Sequence, residues 1–393
     1  MVHYLAHENS PDFLARYPNC SMVRTLEVIV SQTIPQILDV TLRDGGYVND
    51  WQFLIPKALA IVSTLAKGGM PYIEVGYYHP PHSSTNGSGH LSGPSAYCQH
   101  EYLEALSRVA GNSKLGVMVH LNDVLPTDYT FLADHNISTV RFVVPGSNIQ
   151  QLEAHIDAAQ AAGLTVSVNL IRASQRSDEN ILLCARAAQD LGADWLYLAD
   201  SNGSLFPDRV ERIFRELREE LDMRLGFHAH DSLHLAFANS LAAIRGGATL
   251  LDSSLGGMGK GAGNLVTELI CSYFKAFYEA QFNIGEFTRV ACYTLSEWIR
   301  ADHVSRCEST LSALLDLNAD KLKQKVAAAK EAQRPLLLEL EADLETQFMA
   351  PVAPGLAPAF VAATTQAVRL DNEIKTPGSS KSDPRVLTSF HRR

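Results

Sequence analysis

The sequence predicts a (β/α)8 TIM barrel carrying a C-terminal helical appendage. Two observations lead there. Eight short apolar runs of strand character alternate with segments of helical spacing between Gln36 and about residue 286, and that alternation builds a parallel sheet surrounded by helices. Several helical segments also end in glycine, which takes a left-handed stop at no steric cost. A doubly wound open sheet is the rival, but the G-x-G-x-x-G loop that would favour it is absent after the first strand.

The strand runs are Gln36–Thr41, Tyr72–Gly76, Leu115–His120, Thr139–Pro145, Leu164–Ile171, Trp195–Asp200, Arg224–His230 and Thr249–Ser253. Between them, Lys57–Lys67 stops at Gly68-Gly69, Gln150–Ala162 at Gly163, Asn180–Leu191 at Gly192 and His234–Arg245 at Gly246-Gly247. Residues 1–34 read as an N-terminal extension with weak helical character and 35–286 as the barrel. Residues 287–348 read as a helical region, with helices over Ser296–Val304, Glu308–Leu315, Asp320–Ala332 and Leu336–Thr346. The stretch 349–393, first rich in proline and alanine and then polar, is expected to be partly disordered.

Composition narrows the function classes. With 46% apolar and 19% charged residues the chain can bury a sizeable core. A net charge of −10 without a basic cluster argues against nucleic acid or an anionic membrane as partner. No apolar run reaches the roughly 20 residues of a membrane span, and no signal peptide is visible. Six cysteines lie far apart with no C-x-x-C pair. They are expected to be reduced, which places the protein in the cytoplasm.

In a barrel, chemistry sits at the C-terminal ends of strands. The first strand ends in Arg43-Asp44-Gly45-Gly46-Tyr47, an ion pair followed by a turn. The second ends at Glu74 and runs into a long loop with His79, His82, His90 and His100, expected to act as a lid. The fifth and sixth tips present Asn169, then Asp200, Ser201, Asn202 and Ser204. The seventh ends in His228-Ala229-His230, and two imidazoles at that spacing project from one face of a strand. With Asp44 they offer one oxygen and two nitrogens to a divalent ion, leaving positions open for substrate and water. Manganese is taken first, with magnesium, cobalt, iron and zinc as alternatives. After the eighth strand, Gly257 and Gly259 allow close backbone approach, and Asn264 either caps the next helix or adds a further metal-side oxygen.

The motifs TLRDGG, H-x-H and GGMGKGAGN, at the ends of strands one, seven and eight, resemble the metal-dependent aldolase and lyase barrels. That superfamily contains 3-hydroxy-3-methylglutaryl-CoA lyase, 2-isopropylmalate synthase and 4-hydroxy-2-oxovalerate aldolase. The third motif resembles the last of these most, and the likeness spans about residues 36–285. It implies that Asp44, His228 and His230 hold the metal with Asn264 beside them. It implies also that Arg43 faces the enolate oxygen and that Glu74 is the acid of the second strand tip. Asn169, Ser204, Gly257 and Gly259 are expected to bind substrate.

One position departs from that pattern. The hydroxy-oxovalerate aldolases carry a histidine base three residues after the metal aspartate, where this chain has Tyr47. A phenol of ordinary pKa about 10 is a poor base at neutral pH. Tyr47 then acts as an acid, positions substrate or is ionised by the metal, and His79, His82 or His90 could replace it. The C-terminal region shows no clear likeness to the aldolase domain that docks a dehydrogenase.

Cleaving a carbon–carbon bond beside a ketone passes through an enolate, which a divalent ion stabilises. The expectation is a metal-dependent aldolase acting on a 4-hydroxy-2-oxo acid through a pyruvate enolate, with a 2-oxo acid and an aldehyde as small-molecule partners, in a homo-oligomer. The alternatives are a Claisen-type acyl-CoA lyase or synthase, and a metal-binding barrel without turnover.

Overall fold

A computed structural model describes residues 34–81, 83, 93–145, 149–299, 308–309, 311–313, 315–336, 339–340, 342–343 and 346. Eight parallel strands pair in sequence order, and the first closes on the last. They are β1 (Gln36–Asp39), β2 (Tyr72–Tyr77), β3 (Lys114–Val119), β4 (Ile137–Val144), β5 (Thr165–Leu170), β6 (Trp195–Asp200), β7 (Arg224–Ala229) and β8 (Leu250–Ser253). The helices following them in turn are α1 (Ile55–Lys67), α2 (His100–Ser107), α3 (Asp128–Asp134), α4 (Glu153–Ala161), α5 (Asp178–Asp190), α6 (Pro207–Glu220), α7 (Ala236–Gly246) and α8 (Thr267–Tyr278). Beyond the barrel lie α9 (Ile284–Tyr293) and α10 (Ala319–Glu331). The chain up to Ala342 forms one unit, and Asp343 begins another.

Helix spacing explains the outer core. The faces of α1 and α6 bury Ala58, Ile61, Val62 and Leu65, and Val210, Ile213, Phe214 and Leu217. Both sets follow the three-to-four-residue repeat that turns one stripe towards the strands. Glycine stops work as expected: Gly163 and Gly192 hold φ of 83° and 84°. At the Gly68-Gly69 pair only the second residue is left-handed, with φ 84°, while Gly68 stays helical at −74°.

Inside the barrel, the N-terminal half is apolar. Leu38, Tyr72, Trp195, Tyr197 and Leu250 pack together, with the Tyr72 and Trp195 rings edge to face at 5.1 Å. One step further along the even-numbered strands come Glu74, Arg141, Tyr197 and Asp252. Arg141 donates to both Asp252 oxygens at 2.6 and 2.9 Å, meets Glu74 Oε1 at 3.1 Å, and stacks over the Tyr197 ring at 4.1 Å. Side chains from alternate strands filling one layer are how such barrels close their interior. Here that layer is charged, and it forms the floor of the strand-tip region.

Four details differ from the sequence expectation. β1 stops at Asp39, two residues early, because the chain turns and the amides of Arg43, Asp44 and Gly45 converge on the Val40 carbonyl. Helix α9 runs across residue 286, where the barrel was expected to end. Ser296–Ile299 is a turn rather than a helix start, with the Trp298 and Ile299 amides both bonded to the Leu295 carbonyl. His79, expected in a lid, is 3% exposed. The 1–33 extension, His82, His90 and the 349–393 tail lie outside the described residues.

Candidate metal centre and active site

Asp44 sits in the turn after β1, His228 on β7 and His230 one residue beyond that strand. One ligand atom from each lies within 4.8 Å of the others, and all three residues are buried. Local structure fixes each ring. His228 Nδ1 lies 2.8 Å from Asp252 Oδ2 and His230 Nδ1 lies 3.2 Å from the Gly263 carbonyl. Both partners only accept, so each Nδ1 carries a proton and each ring turns its Nε2 inward. Those two Nε2 atoms are 3.3 Å apart, and His228 Nε2 is 4.0 Å from Asp44 Oδ1. Two lone pairs and a carboxylate oxygen at such range repel unless a cation lies between them. His230 is held neutral: burial lowers its pKa to about 3, although Asp44 opposes this.

Asp44 remains ionised. Burial would raise its pKa, but the Arg43 guanidinium, helped by the hydrogen bond from Asn264, holds it well below the usual range. Its Oδ2 accepts from Asn264 Nδ2 at 2.9 Å and from the Lys260 amide at 3.3 Å. Asn264 Nδ2 also donates to the Met258 carbonyl at 3.0 Å, whereas Asn264 Oδ1 is buried with no hydrogen-bond partner. An orphaned buried acceptor needs an explanation, and a cation beside Asp44 supplies one. The donor set of two imidazoles, a carboxylate and an amide oxygen suits a divalent ion.

Arg43 is tied on two sides. Its Nε meets Glu74 Oε2 and its Nη1 meets Asp44 Oδ1, both at 2.5 Å. Its Nη2 has no hydrogen bond and lies 3.9 Å from Asp252 Oδ2. Burial works against the charge, yet Glu74 and Asp44 keep the guanidinium protonated. Asp252 likewise stays ionised, its burial outweighed by the Arg141 charge. A chain of alternating charge thus runs Asp44–Arg43–Glu74–Arg141–Asp252, and Asp252 in turn meets His228 of the metal group. Glu74 spends both oxygens on two arginines, so its place is beneath Arg43 as a clamp.

Tyr47 lies across the turn from Asp44. The residue is 41% exposed, but its hydroxyl meets that of Tyr77 at 3.5 Å and its ring packs on Trp51 at 4.6 Å. Withdrawal from solvent, then the Asp44 charge, push its phenol up, so it keeps its proton. His79 is no substitute base: its Nδ1 meets the Ala96 carbonyl at 2.7 Å and its Nε2 lies 3.2 Å from Asp123. His120, the residue that follows β3, stacks flat on Tyr77 with centroids 5.6 Å apart. Its ring forms no hydrogen bond among the described residues, and burial lowers its pKa, keeping it neutral. Sequence reasoning passed over His120, although it ends a strand just as His230 nearly does.

The remaining expected residues are scattered. Asn169 is buried at the end of β5, its Oδ1 without a partner. Gly257 and Gly259 flank Asn264: a Cβ on Gly259 would fall 2.4 Å from Asn264 Nδ2 and one on Gly257 3.1 Å from the Asn264 carbonyl. Ser204 faces the C-terminal region, its hydroxyl donating to Asp316 Oδ1 at 2.9 Å. Asp252 and Arg141 were missed altogether, because in LDSS and VRFVV they read as ordinary strand positions.

The barrel thus gathers two histidines, an aspartate and a buried arginine at its strand tips. The comparisons agree: the HMGL-like family model matches residues 34–291, and the chain belongs to that family of lyases and aldolases. An oxaloacetate decarboxylase of Mycobacterium tuberculosis is 32% identical over 60% of this chain and 68% of its own length. A 4-hydroxy-2-oxovalerate aldolase of Thermomicrobium roseum is 34% identical over 61% of this chain and 66% of its own, and that of Brevibacillus brevis 34% over 60% and 68%. Among solved structures, the N-terminal domain of a candidate aldolase from Bacteroides vulgatus superposes with a TM-score of 0.64 at 25% identity, covering 74% of this chain and 96% of that one. No helix among the described residues is long and apolar enough to cross a membrane.

Proposed function

We propose that the protein is a divalent-metal-dependent aldolase that makes or breaks the bond between C3 and C4 of a 4-hydroxy-2-oxo acid through a pyruvate enolate. The observation that carries this reading is the convergence of Asp44, His228 and His230 beside the orphaned Asn264 Oδ1. Relatives named as 4-hydroxy-2-oxovalerate aldolases support it. The ion, when bound, supplies fixed positive charge that draws electrons from the 2-oxo acid.

The protein's own groups do the rest. Arg43 offers its unpaired Nη2 to negative charge developing on the keto oxygen, and Glu74 and Asp44 keep the fork from turning away. Preorganised donors of this kind are commonly worth about 3–4 kcal/mol in the barrier. Tyr47, holding its proton, donates a hydrogen bond to the oxygen on C4. Neutral His120 takes the C4 hydroxyl proton in cleavage and returns it in condensation. Asp252 holds His228 in the tautomer that presents Nε2.

A second reading has its own support. Decarboxylation of oxaloacetate reaches the same enolate by losing carbon dioxide and needs no base at position 47, and a 32% identical relative is named for that reaction. One experiment separates the outcomes. In heavy water with Mn2+, the methyl protons of pyruvate should exchange, EDTA should stop the exchange, and Asp44→Ala should lower it at least 100-fold. Exchange that persists in EDTA would remove the metal reading. Carbon dioxide release from oxaloacetate, without condensation of pyruvate with any aldehyde, would favour the second reading.

A further inference from the structure

We infer that Tyr77 is a second catalytic hydroxyl of this site, and that with Tyr47 it forms a two-donor cradle for the oxygen on C4 of the substrate. This rests on the aldolase reading and adds to it a residue that holds the acceptor carbonyl.

Strict alternation along β2 would turn Tyr77 away from the barrel interior, because Glu74 points inward and successive side chains change face. The pairing with β3 shows otherwise. Glu74 lies opposite Gly116 and Tyr77 opposite Met118, so three steps on β2 match two on β3. The bulge returns Tyr77 to the face of Glu74, and re-aiming a side chain next to a site is a common use of bulges. Gly76 makes it possible. Its φ is 152°, and a Cβ there would fall 2.0 Å from the Ser95 carbonyl oxygen. Tyr77 is 4% exposed and packs with Trp51, Met118 and Val143, the last two residues beyond Arg141 on β4.

The two phenols flank Arg43. Glu74, three residues before Tyr77, accepts from Arg43 Nε at 2.5 Å. Trp51 Nε1 donates to the Arg43 carbonyl at 2.7 Å, and the Trp51 ring meets Tyr47 at 4.6 Å and Tyr77 at 5.9 Å. The hydroxyl oxygens of Tyr47 and Tyr77 are 3.5 Å apart. A strong O–H···O bond closes to about 2.7–2.8 Å, so the pair is spaced to donate together to one oxygen beside both. Burial raises both phenols, and both hold a proton to donate. Flat on the Tyr77 ring lies His120, with 5.6 Å between centroids and 12° between planes. In condensation, C3 of the enolate bonds to the aldehyde carbon and the carbonyl electron pair moves onto oxygen. The two phenols donate to that oxygen as its charge develops, and protonated His120 returns a proton to it. Cleavage runs these steps in reverse.

The test is cleavage of 4-hydroxy-2-oxopentanoate by the full chain with Mn2+, beside exchange of pyruvate methyl protons, which involves no oxygen on C4. Tyr77→Phe keeps the ring and its packing. It should lower kcat for cleavage about 100-fold, the usual cost of losing one such donor, with KM changed less than threefold. The loss in cleavage should exceed the loss in exchange at least thirtyfold. Inhibition by 2-oxopentanoate, which lacks the C4 oxygen, should agree within threefold between the two proteins, a result that a collapsed site would not give. Tyr47→Phe, at a more exposed position, should show the same selective loss of cleavage. Cleavage by either variant within threefold of the wild type, or equal losses in cleavage and exchange, would overturn the cradle and leave the aldolase reading standing. A wild type that neither cleaves nor exchanges removes the aldolase reading and the cradle with it.

Discussion

Arg43 makes three uses of one planar group: Glu74 on one edge, Asp44 on another, and a free Nη2 between them. A lysine has a single point charge and cannot hold both carboxylates while presenting a third donor. Arg43→Lys should therefore cut kcat about 100-fold or more, in line with the roughly 3–4 kcal/mol such donors supply, while weakening Mn2+ binding less than tenfold. Steady-state kinetics beside calorimetric titration would show the split, and equal losses would count against a role in the reaction. Asp39 makes a different argument. It is buried, accepts from the Thr41 amide and the Thr267 hydroxyl, and burial raises its pKa from 3.8 to about 7. A carboxyl raised on folding binds more protons in the folded state, so its stabilisation is complete below about pH 4 and is lost as pH climbs to about 7. Asp39→Asn keeps the geometry without the charge. It should gain on the order of a few kcal/mol relative to the wild type at pH 8 and little at pH 4, read from denaturant melts at both values. At this scale the sequence was legible where residue type and position agree: Asp44, His228 and His230 are polar groups at strand ends. Arg141 and Asp252 were not, since their pairing spans 111 positions and no local pattern records a contact across the barrel.

The turn after β8 shows how close backbone packing can hold a site. Gly259 lies against the Asn264 side chain, and Gly263, at φ 94°, would place a Cβ 2.0 Å from the Gly257 carbonyl. Gly257 and Gly259 leave room for Asn264, whose Nδ2 bonds Asp44 Oδ2 and the Met258 carbonyl. Gly259→Ala should push that amide aside and loosen Asp44. The expected cost is a tenfold to 100-fold weaker Mn2+ affinity, the usual effect of disturbing a group behind a metal ligand, with unchanged circular dichroism. Unaltered affinity would mean that the side chain of Asn264 does not matter to the ion. The repeated glycines made this element visible in sequence, but glycine reports only that something approaches closely. Whether the neighbour is a ligand or another part of the chain depends on the folded path. The β1 turn follows the same logic: apolar residues announced the strand, yet three amides gathered on the Val40 carbonyl ended it early.

At the scale of the molecule, Asp316 gathers several of the bonds between the region after the barrel and the strand tips. Asp316 Oδ1 accepts from Asn202 Nδ2 at 2.6 Å, from the Ser174 hydroxyl at 2.8 Å and from the Ser204 hydroxyl at 2.9 Å. Gln175 adds a bond from its side-chain amide to the Asp316 carbonyl at 2.9 Å. The three side-chain donors to Oδ1 come from the loops after β5 and β6, so one carboxylate gathers two tips of the barrel and the chain leading into α10. Hydrogen bonds to a charged acceptor are each worth about 1.5–3 kcal/mol at most, and less where water competes. Local stability is therefore concentrated there, whereas the barrel rests on its own strand pairing and helix packing. Asp316→Ala should release the segment without unfolding the barrel. Limited proteolysis should cut between residues 308 and 336 at least tenfold faster, because cleavage follows the population of the opened state. The main thermal transition should move by only a few degrees. Equal proteolysis of both proteins would show that the segment is held by something other than Asp316.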